Sequence, residues 1–196
     1  MDHRKGLARE IIGASSQDYP GWIKTQRSEL DITRRDDWAN RFRDGSVAII
    51  LAEHVWEHLS LADALTAARN CRTALGPGGF VRCAVPDGLF PDPIYQGIVK
   101  VGGPGAEDHP AASHKMVYDY RTLPKVFAQA GLIVRLLEWW DVAGVFHAEP
   151  WDEKKGFIYR SARFDHRNQD GQLRFTSLIL DAANPPLGSS QDAAES

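Results

Sequence analysis

The sequence predicts an α/β domain with a mostly parallel sheet, and three observations predict it. Residues 47–52, VAIILA, form an unbroken apolar run rich in β-branched side chains, as expected for a strand buried on both faces of a parallel sheet. A helical stretch follows, then Gly76-Pro77-Gly78-Gly79, then a second apolar run, FVRCAVP, at residues 80–86. Strand-like and helix-like segments continue to alternate, with further strands at the C-terminus, and that order belongs to α/β domains.

Taken in order, residues 7–14 (LAREIIGA) read as a strand entering a small-residue turn. Residues 20–25 (PGWIKT) read as a second strand after the turn signal Tyr19-Pro20-Gly21. Residues 30–33 (LDIT) are a third short apolar stretch. Residues 35–42 have helical spacing, with Trp38 and Phe42 four apart. Residues 61–75 predict a helix, with Ser60 at the N-cap, Asp63 three residues later and glycine on the C-terminal side. Residues 86–118 hold Pro86, Pro91, Pro93, Pro104 and Pro110, five of the eleven prolines, and read as one long functional loop. Residues 120–131 predict a helix capped by Thr122 with Pro124 in its first turn, and residues 132–140 a long strand. Residues 157–168 begin like a strand, and residues 173–182 give the last strand. Residues 1–184 read as one domain, and 185–196 as a polar, disordered tail.

Composition narrows the function. The 196 residues, 43% hydrophobic and 25% charged, can build one substantial core. A net charge of −3 argues against general affinity for nucleic acid. No apolar stretch is long enough to span a membrane, and the N-terminus lacks the apolar stretch of a secretory signal. Cys71 and Cys83 read as reduced core residues of a cytoplasmic protein.

In an open α/β sheet, ligands bind beyond the carboxyl ends of the strands. The residues at those ends are Gly13, Ala14 and Ser15; Gln26; Asp31 and Ile32; Glu53 and His54; and Asp87. His54-Val55-Trp56-Glu57-His58 also spells H-x-x-E-H, the inverted zinc-protease signature. That reading needs one helix through both histidines and a third ligand on another helix. Here the string begins at a strand end, so no metal is expected. Glu57 and His58 then read as structural residues of the strand-to-helix turn.

Together, IIGASSQDYPGWIKT, LDIT, DGSVAIILAEHVWEHL, LGPGGFVRCAVPDG and HKMVYDYRTL followed by FAQAGL resemble a class I S-adenosylmethionine (SAM)-dependent methyltransferase. More narrowly, the chain is similar to small methyltransferases associated with polysaccharide and natural-product genes. The resemblance spans roughly residues 9–182. It implies a Rossmann-like fold with an antiparallel C-terminal strand, SAM as cofactor and S-adenosylhomocysteine as product. By resemblance, Gly13, Ala14 and Ser15 form the first-motif turn against the methionine part of SAM, and Gln26 faces the ribose. Asp31 and Ile32 lie near the adenine, and Glu53 and His54 line the floor near the sulfonium. The first turn departs from the common G-x-G pattern, and Gln26 stands where many members have an acidic residue.

The implied reaction is methyl transfer to an oxygen or nitrogen nucleophile of a small molecule, a sugar or specialised metabolite. His54, Asp87 and His114 are candidate bases, and His114 and Tyr118 candidate acceptor contacts. Asp165-His166-Arg167-Asn168 reads first as a charged hairpin and second as an acceptor or partner contact. The aromatic C-terminal third either buries a homodimer contact or finishes the core. Two rival readings are another SAM reaction, cyclisation or elimination, and an inactive methyltransferase-like partner protein.

Overall fold

The structure, a computed structural model, describes residues 6–168 and 170–186. The first five residues and most of the expected tail lie outside that range. Seven strands form one sheet in the order β2-β1-β3-β4-β7-β5-β6. They are β1 (Ala8–Ile12), β2 (Ile23–Thr25), β3 (Val47–Glu53), β4 (Leu75–Pro86), β5 (Ile133–Trp140), β6 (Phe146–Ala148) and β7 (Ser177–Ala183). The pairs β1–β2, β1–β3 and β3–β4 are parallel. β7 runs antiparallel between β4 and β5, and β6 adds a second antiparallel edge strand. The expected parallel sheet with an antiparallel C-terminal strand is present.

Four helices, α1 (Arg35–Arg41), α2 (Leu61–Ala74), α3 (Pro93–Val99) and α4 (Leu123–Gln129), connect these strands. The steps β2→β3, β3→β4 and β4→β5 all move the same way across the sheet. Right-handed crossovers therefore put α1, α2 and α4 on one face. The core follows: Trp38 and Phe42 of α1, the alanines of α2, and Val126 and Phe127 of α4 share one cluster. The only described parallel step in the opposite direction, β1→β2, is made by residues 13–22, which contain no helix. That loop is shorter than the dozen or more residues usual for a parallel crossover. Among the described residues, the β1–β2 connection thus supplies no helix to the second face. Ile158, Trp151, Tyr19 and Trp22 cover it instead, packing on Ile11, Leu51, Leu137 and Ile179.

Most of this cover comes from the irregular segment 149–176, and three buried charges hold it to the sheet. Glu53 of β3 accepts from the backbone N–H groups of Tyr159 (3.1 Å) and Arg160 (2.8 Å). Arg82 of β4 donates to the carbonyls of Asp152 and Gly156, each at 2.8 Å, and binds Asp181 of β7 through two 2.8 Å bonds. Glu138 of β5 accepts from the Trp151 indole (3.0 Å) and the Ala162 N–H (2.7 Å).

Several expectations are corrected. LDIT is a turn: Leu30 and Ile32 point into the core, while Asp31 Oδ1 accepts from Thr33 N–H and hydroxyl. α2 does end before GPGG, but its C-cap, Leu75, is extended and begins β4, and GPGG lies within that strand. The expected single loop at 86–118 contains α3 and a short 3-10 turn at Pro110–Ser113. The expected strand start at 157 is irregular chain. Ser60 does cap α2, accepting from Asp63 N–H at 3.2 Å. Thr122 instead bonds Asp119, and its side chain caps no N–H of α4. Cys71 and Cys83 are buried free thiols. No helix of the described residues is long and apolar enough to cross a membrane.

Glu10, in the middle of β1, is wholly buried, and only one of its oxygens is bonded, by the Thr25 hydroxyl at 2.6 Å. Burial raises its carboxyl from 4.5 to about 7, against smaller opposing effects of Thr25 and Arg41. The folded state therefore holds this proton more tightly than the unfolded chain does. Its stabilising effect is complete below 4.5 and is lost as pH rises through about 7. Glu10→Gln keeps an acceptor for Thr25 and removes the titration. The variant should match the native protein at about pH 5 and exceed it by about 1–3 kcal/mol at about pH 8. Melting curves that stay parallel across this range would reject the assignment.

Candidate functional site

A cavity of about 590 Å³ opens at the carboxyl ends of β1 and β3. One wall is the turn after β1, from Gly13 to Gln17, and its floor carries Glu53. The opposite wall is Tyr159, Arg160, Phe164 and Asp165 to Arg167, from the irregular cover. The volume is in the range usual for small-molecule sites.

The turn is conformationally demanding. Gly13 has φ +62°, and a Cβ there would meet Val55 Cγ2 at 2.8 Å. Ser15 (φ 48°) and His54 (φ 56°) are the two non-glycine residues with positive φ among those described. Left-handed backbone at ordinary residues costs about 1–3 kcal/mol and clusters at functional sites. Here Ser15 lines the cavity, and His54 directly follows the lining residue Glu53 in sequence.

Glu53 is buried, and desolvation raises its pKa above the carboxylate norm, opposed by the Arg160 and Tyr159 N–H bonds. Gln17 adds a side-chain bond at 2.5 Å. The Arg160 guanidinium stands 4.0 Å from the same carboxylate and is about half exposed, so its donors remain open to the cavity.

Of the expected cofactor residues, Gly13, Ala14, Ser15 and Glu53 line the cavity. Gln26 lies just outside, on the surface, and its amide donates to the Ser15 carbonyl at 3.2 Å, tying the end of β2 to the turn. Ile32, expected near the adenine, packs in the core cluster with Trp38, and its carbonyl accepts from Trp38 and Asn70. Asp31 sits in the same turn, with one oxygen bound to Thr33.

His54 lies behind Glu53. Its Nε2 is 3.0 Å from the Ser177 hydroxyl, and its Nδ1 is 3.4 Å from Glu57 Oε1. Burial pushes the imidazole well below 6.5 and raises Glu57 from 4.5 to about 8. At neutral pH this contact joins two neutral groups. Asp87 has no exposed surface, and its two oxygens accept from Leu89 N–H (2.9 Å) and Trp140 N–H (2.8 Å). Asp87, expected as a candidate base, links the end of β4 to that of β5. Tyr118 is likewise a core residue, with its hydroxyl buried and unpartnered. His114 is buried beside His58, with ring centroids 4.9 Å apart.

The sequence reading missed Gln17, Tyr159, Arg160 and Phe164. It also missed the grouping of Glu57, His58 and His114. A signal for the first set was present: Glu53, Arg82 and Glu138 interrupt otherwise apolar strands, and a buried charge requires a partner from elsewhere in the chain.

No family model matches the sequence, and no curated protein matches it. Solved structures do match. A SAM-dependent methyltransferase from Archaeoglobus fulgidus aligns at TM-score 0.52 and 11% identity, over 91% of this chain and 87% of that one. One from Mesorhizobium loti aligns at TM-score 0.53 and 10% identity, over 91% of each chain. One from Thermotoga maritima aligns at TM-score 0.52 and 11% identity, over 90% and 82%. At such identities the likeness is one of fold, and it agrees with the strand order, the antiparallel β7 and the cavity at the carboxyl edge. The chain has the Rossmann-like fold of the class I SAM-dependent methyltransferases.

Proposed function

We propose that the protein is a SAM-dependent methyltransferase acting on an oxygen or nitrogen nucleophile of a small molecule. The observation that carries this reading is the cavity beyond β1 and β3, where Gly13 presents bare backbone at the position the fold uses for cofactor. The residues fit the group: there is room for it, no side chain fills the turn, and Glu53 and Arg160 offer charges of both signs. When bound, SAM supplies an electrophilic methyl group on a sulfonium.

The chain's own residues do the rest. Gly13 to Ser15 admit the ligand to within contact of the backbone. Arg160 offers a guanidinium to the amino-acid carboxylate, replacing the helix N-terminus that the β1–β2 connection lacks. Glu53 holds the wall that carries Arg160 and offers negative charge to a cationic group. Gln26 and Asp31 are the candidates for ribose and adenine contacts. His54, neutral because it is buried, is the candidate base for an acceptor aligned with the methyl group, and taking that proton requires its Nε2 to leave the Ser177 hydroxyl. The modest size of the cavity and the net charge of −3 favour a small acceptor, a sugar or specialised metabolite. An inactive, methyltransferase-like partner protein would fill this cleft with side chains, and the open cavity argues against that reading.

Calorimetric titration with SAM and S-adenosylhomocysteine tests the proposal. Binding in the micromolar range is expected, with the product at least as tight. Arg160→Met should weaken both ligands by roughly 10- to 100-fold, the loss of a charge-assisted contact. Absence of binding at millimolar ligand would overturn the reading.

A further inference from the structure

The H-x-x-E-H string does not form a continuous helix. It bends at His54, and Trp56–His58 make a single 3-10 turn. The chain then returns 56 residues later in sequence to place His114 beside that turn. The Glu57 carbonyl fixes the return, accepting from Lys115 N–H (2.8 Å) and Met116 N–H (3.1 Å). As a result, one ligand atom from each of Glu57, His58 and His114 lies within 4.8 Å of the others.

Two further observations give this cluster direction. The first is the state of the imidazoles. His114 Nδ1 is 2.9 Å from the Val99 carbonyl, which can only accept, so Nδ1 carries the proton and Nε2 the lone pair. The Ser113 hydroxyl gives its hydrogen to the Pro110 carbonyl (3.2 Å), so it accepts from His58 Nδ1 at 2.8 Å. His58 Nε2 therefore also carries a lone pair, and it stands 3.9 Å from Glu57 Oε1. A metal-ligating histidine usually donates its other ring N–H to a carboxylate, carbonyl or water in this way. The second observation is Glu57 itself. Its side chain is 2% exposed, and neither oxygen has a hydrogen-bond partner. A buried carboxylate left unpaired is costly unless a cation or a proton meets it.

We propose that Glu57, His58 and His114 form a binding site for a divalent transition-metal ion of the zinc class. Two imidazoles and one carboxylate suit zinc, cobalt, manganese or ferrous iron better than calcium or magnesium, which prefer all-oxygen sets. The partly exposed His58 gives the ion a way in. Three protein ligands leave a coordination position open. On the methyl-transfer reading, that position anchors an oxygen donor of the acceptor, next to His54. The ion site itself stands without that reading.

The test is titration of chelator-treated protein with Zn2+ by calorimetry and with Co2+ by its visible absorption, with no cofactor present. One ion per chain is expected, with cobalt bands typical of mixed nitrogen and oxygen ligation. His58→Ala, His114→Ala and Glu57→Gln should each lower affinity by roughly 100-fold or more, above the loss usual when only a hydrogen-bond partner of a ligand is removed. His147→Ala, at a surface histidine paired with Asp141, should bind as the native protein does. Circular dichroism and melting curves check folding, and Glu57→Gln is the informative variant because it removes the carboxylate ligand without removing packing. No saturable binding, or binding that survives in the His58→Ala/His114→Ala double variant, would overturn the site. SAM titration of the same samples is separate: its failure would remove the proposed function and leave the ion site intact.

Discussion

Replacing Arg82 by alanine should destabilise the protein by about 3–5 kcal/mol, the usual result of breaking a buried ion pair from one side. In a chain of this size that lowers the melting temperature by roughly 6–20 °C. The guanidinium is 2% exposed and makes four bonds, two to Asp181 and one each to the carbonyls of Asp152 and Gly156. It also sits 4.9 Å from the Trp151 ring. Its loss strands Asp181 in the sheet and releases the first part of the irregular cover. The effect should therefore be local as well as global. Limited proteolysis should cut the variant between residues 149 and 160 under conditions that leave the native chain whole. The double variant Arg82→Met/Asp181→Leu should recover much of the loss, because an apolar pair of similar volume often matches a buried ion pair. If Arg82→Ala melts within 1 °C or so of the native protein, the cover is held by its apolar contacts alone.

The same segment marks where the sequence stopped being readable. The strands β3, β4 and β7, the helix α2 and its Ser60 cap follow from local pattern, because an apolar run or a cap is decided by neighbours in sequence. LDIT looked like a strand for the same reason, since Leu30 and Ile32 are apolar and alternate. In the fold they are buried by α1 from one side, and Asp31 closes a turn between them. The irregular cover has no periodicity to read: Glu53, Arg82 and Glu138 tie it to the sheet, and its own backbone bonds make only short turns, such as Gly156 N–H to the Glu153 carbonyl and Asp165 N–H to the Ser161 carbonyl. It fills the face left bare when ten residues, and no helix, join β1 to β2.

The candidate site divides along the same line. Gly13, Ala14, Ser15 and Glu53 were visible because strand ends in an α/β sheet are where ligands sit. Asp87 occupies such an end too, yet its two oxygens serve Leu89 and Trp140. Proximity to a strand end does not reveal whether a carboxylate is already engaged. Glu57, His58 and His114 were all in view singly, but their meeting depends on the path of residues 87–118. That path is fixed by long-range bonds, among them those from Lys115 and Met116 to the Glu57 carbonyl and from His114 to the Val99 carbonyl.

Gly13→Val should reduce SAM affinity by at least about 100-fold, equivalent to roughly 3 kcal/mol, while leaving the chain folded. Two effects combine. Gly13 has φ +62°, a region that β-branched residues almost never occupy, so the turn must shift. A Cβ placed there meets Val55 Cγ2 at 2.8 Å, and the branched side chain has no slack to retreat. The turn then moves away from Ser15 and from the Ala14 N–H bond to the Thr25 carbonyl, which at 3.0 Å joins it to β2. The stability cost should stay near 1–3 kcal/mol, since the strain is confined to one loop at the sheet edge. Gly13→Ala should fall between, with a smaller loss of affinity and the same φ penalty. Calorimetry with SAM, beside melting curves for all three proteins, separates loss of binding from loss of fold. Native affinity in a folded Gly13→Val protein would mean that the cofactor does not approach this turn. The cavity bounded by Glu53 and Arg160 would then need a different ligand.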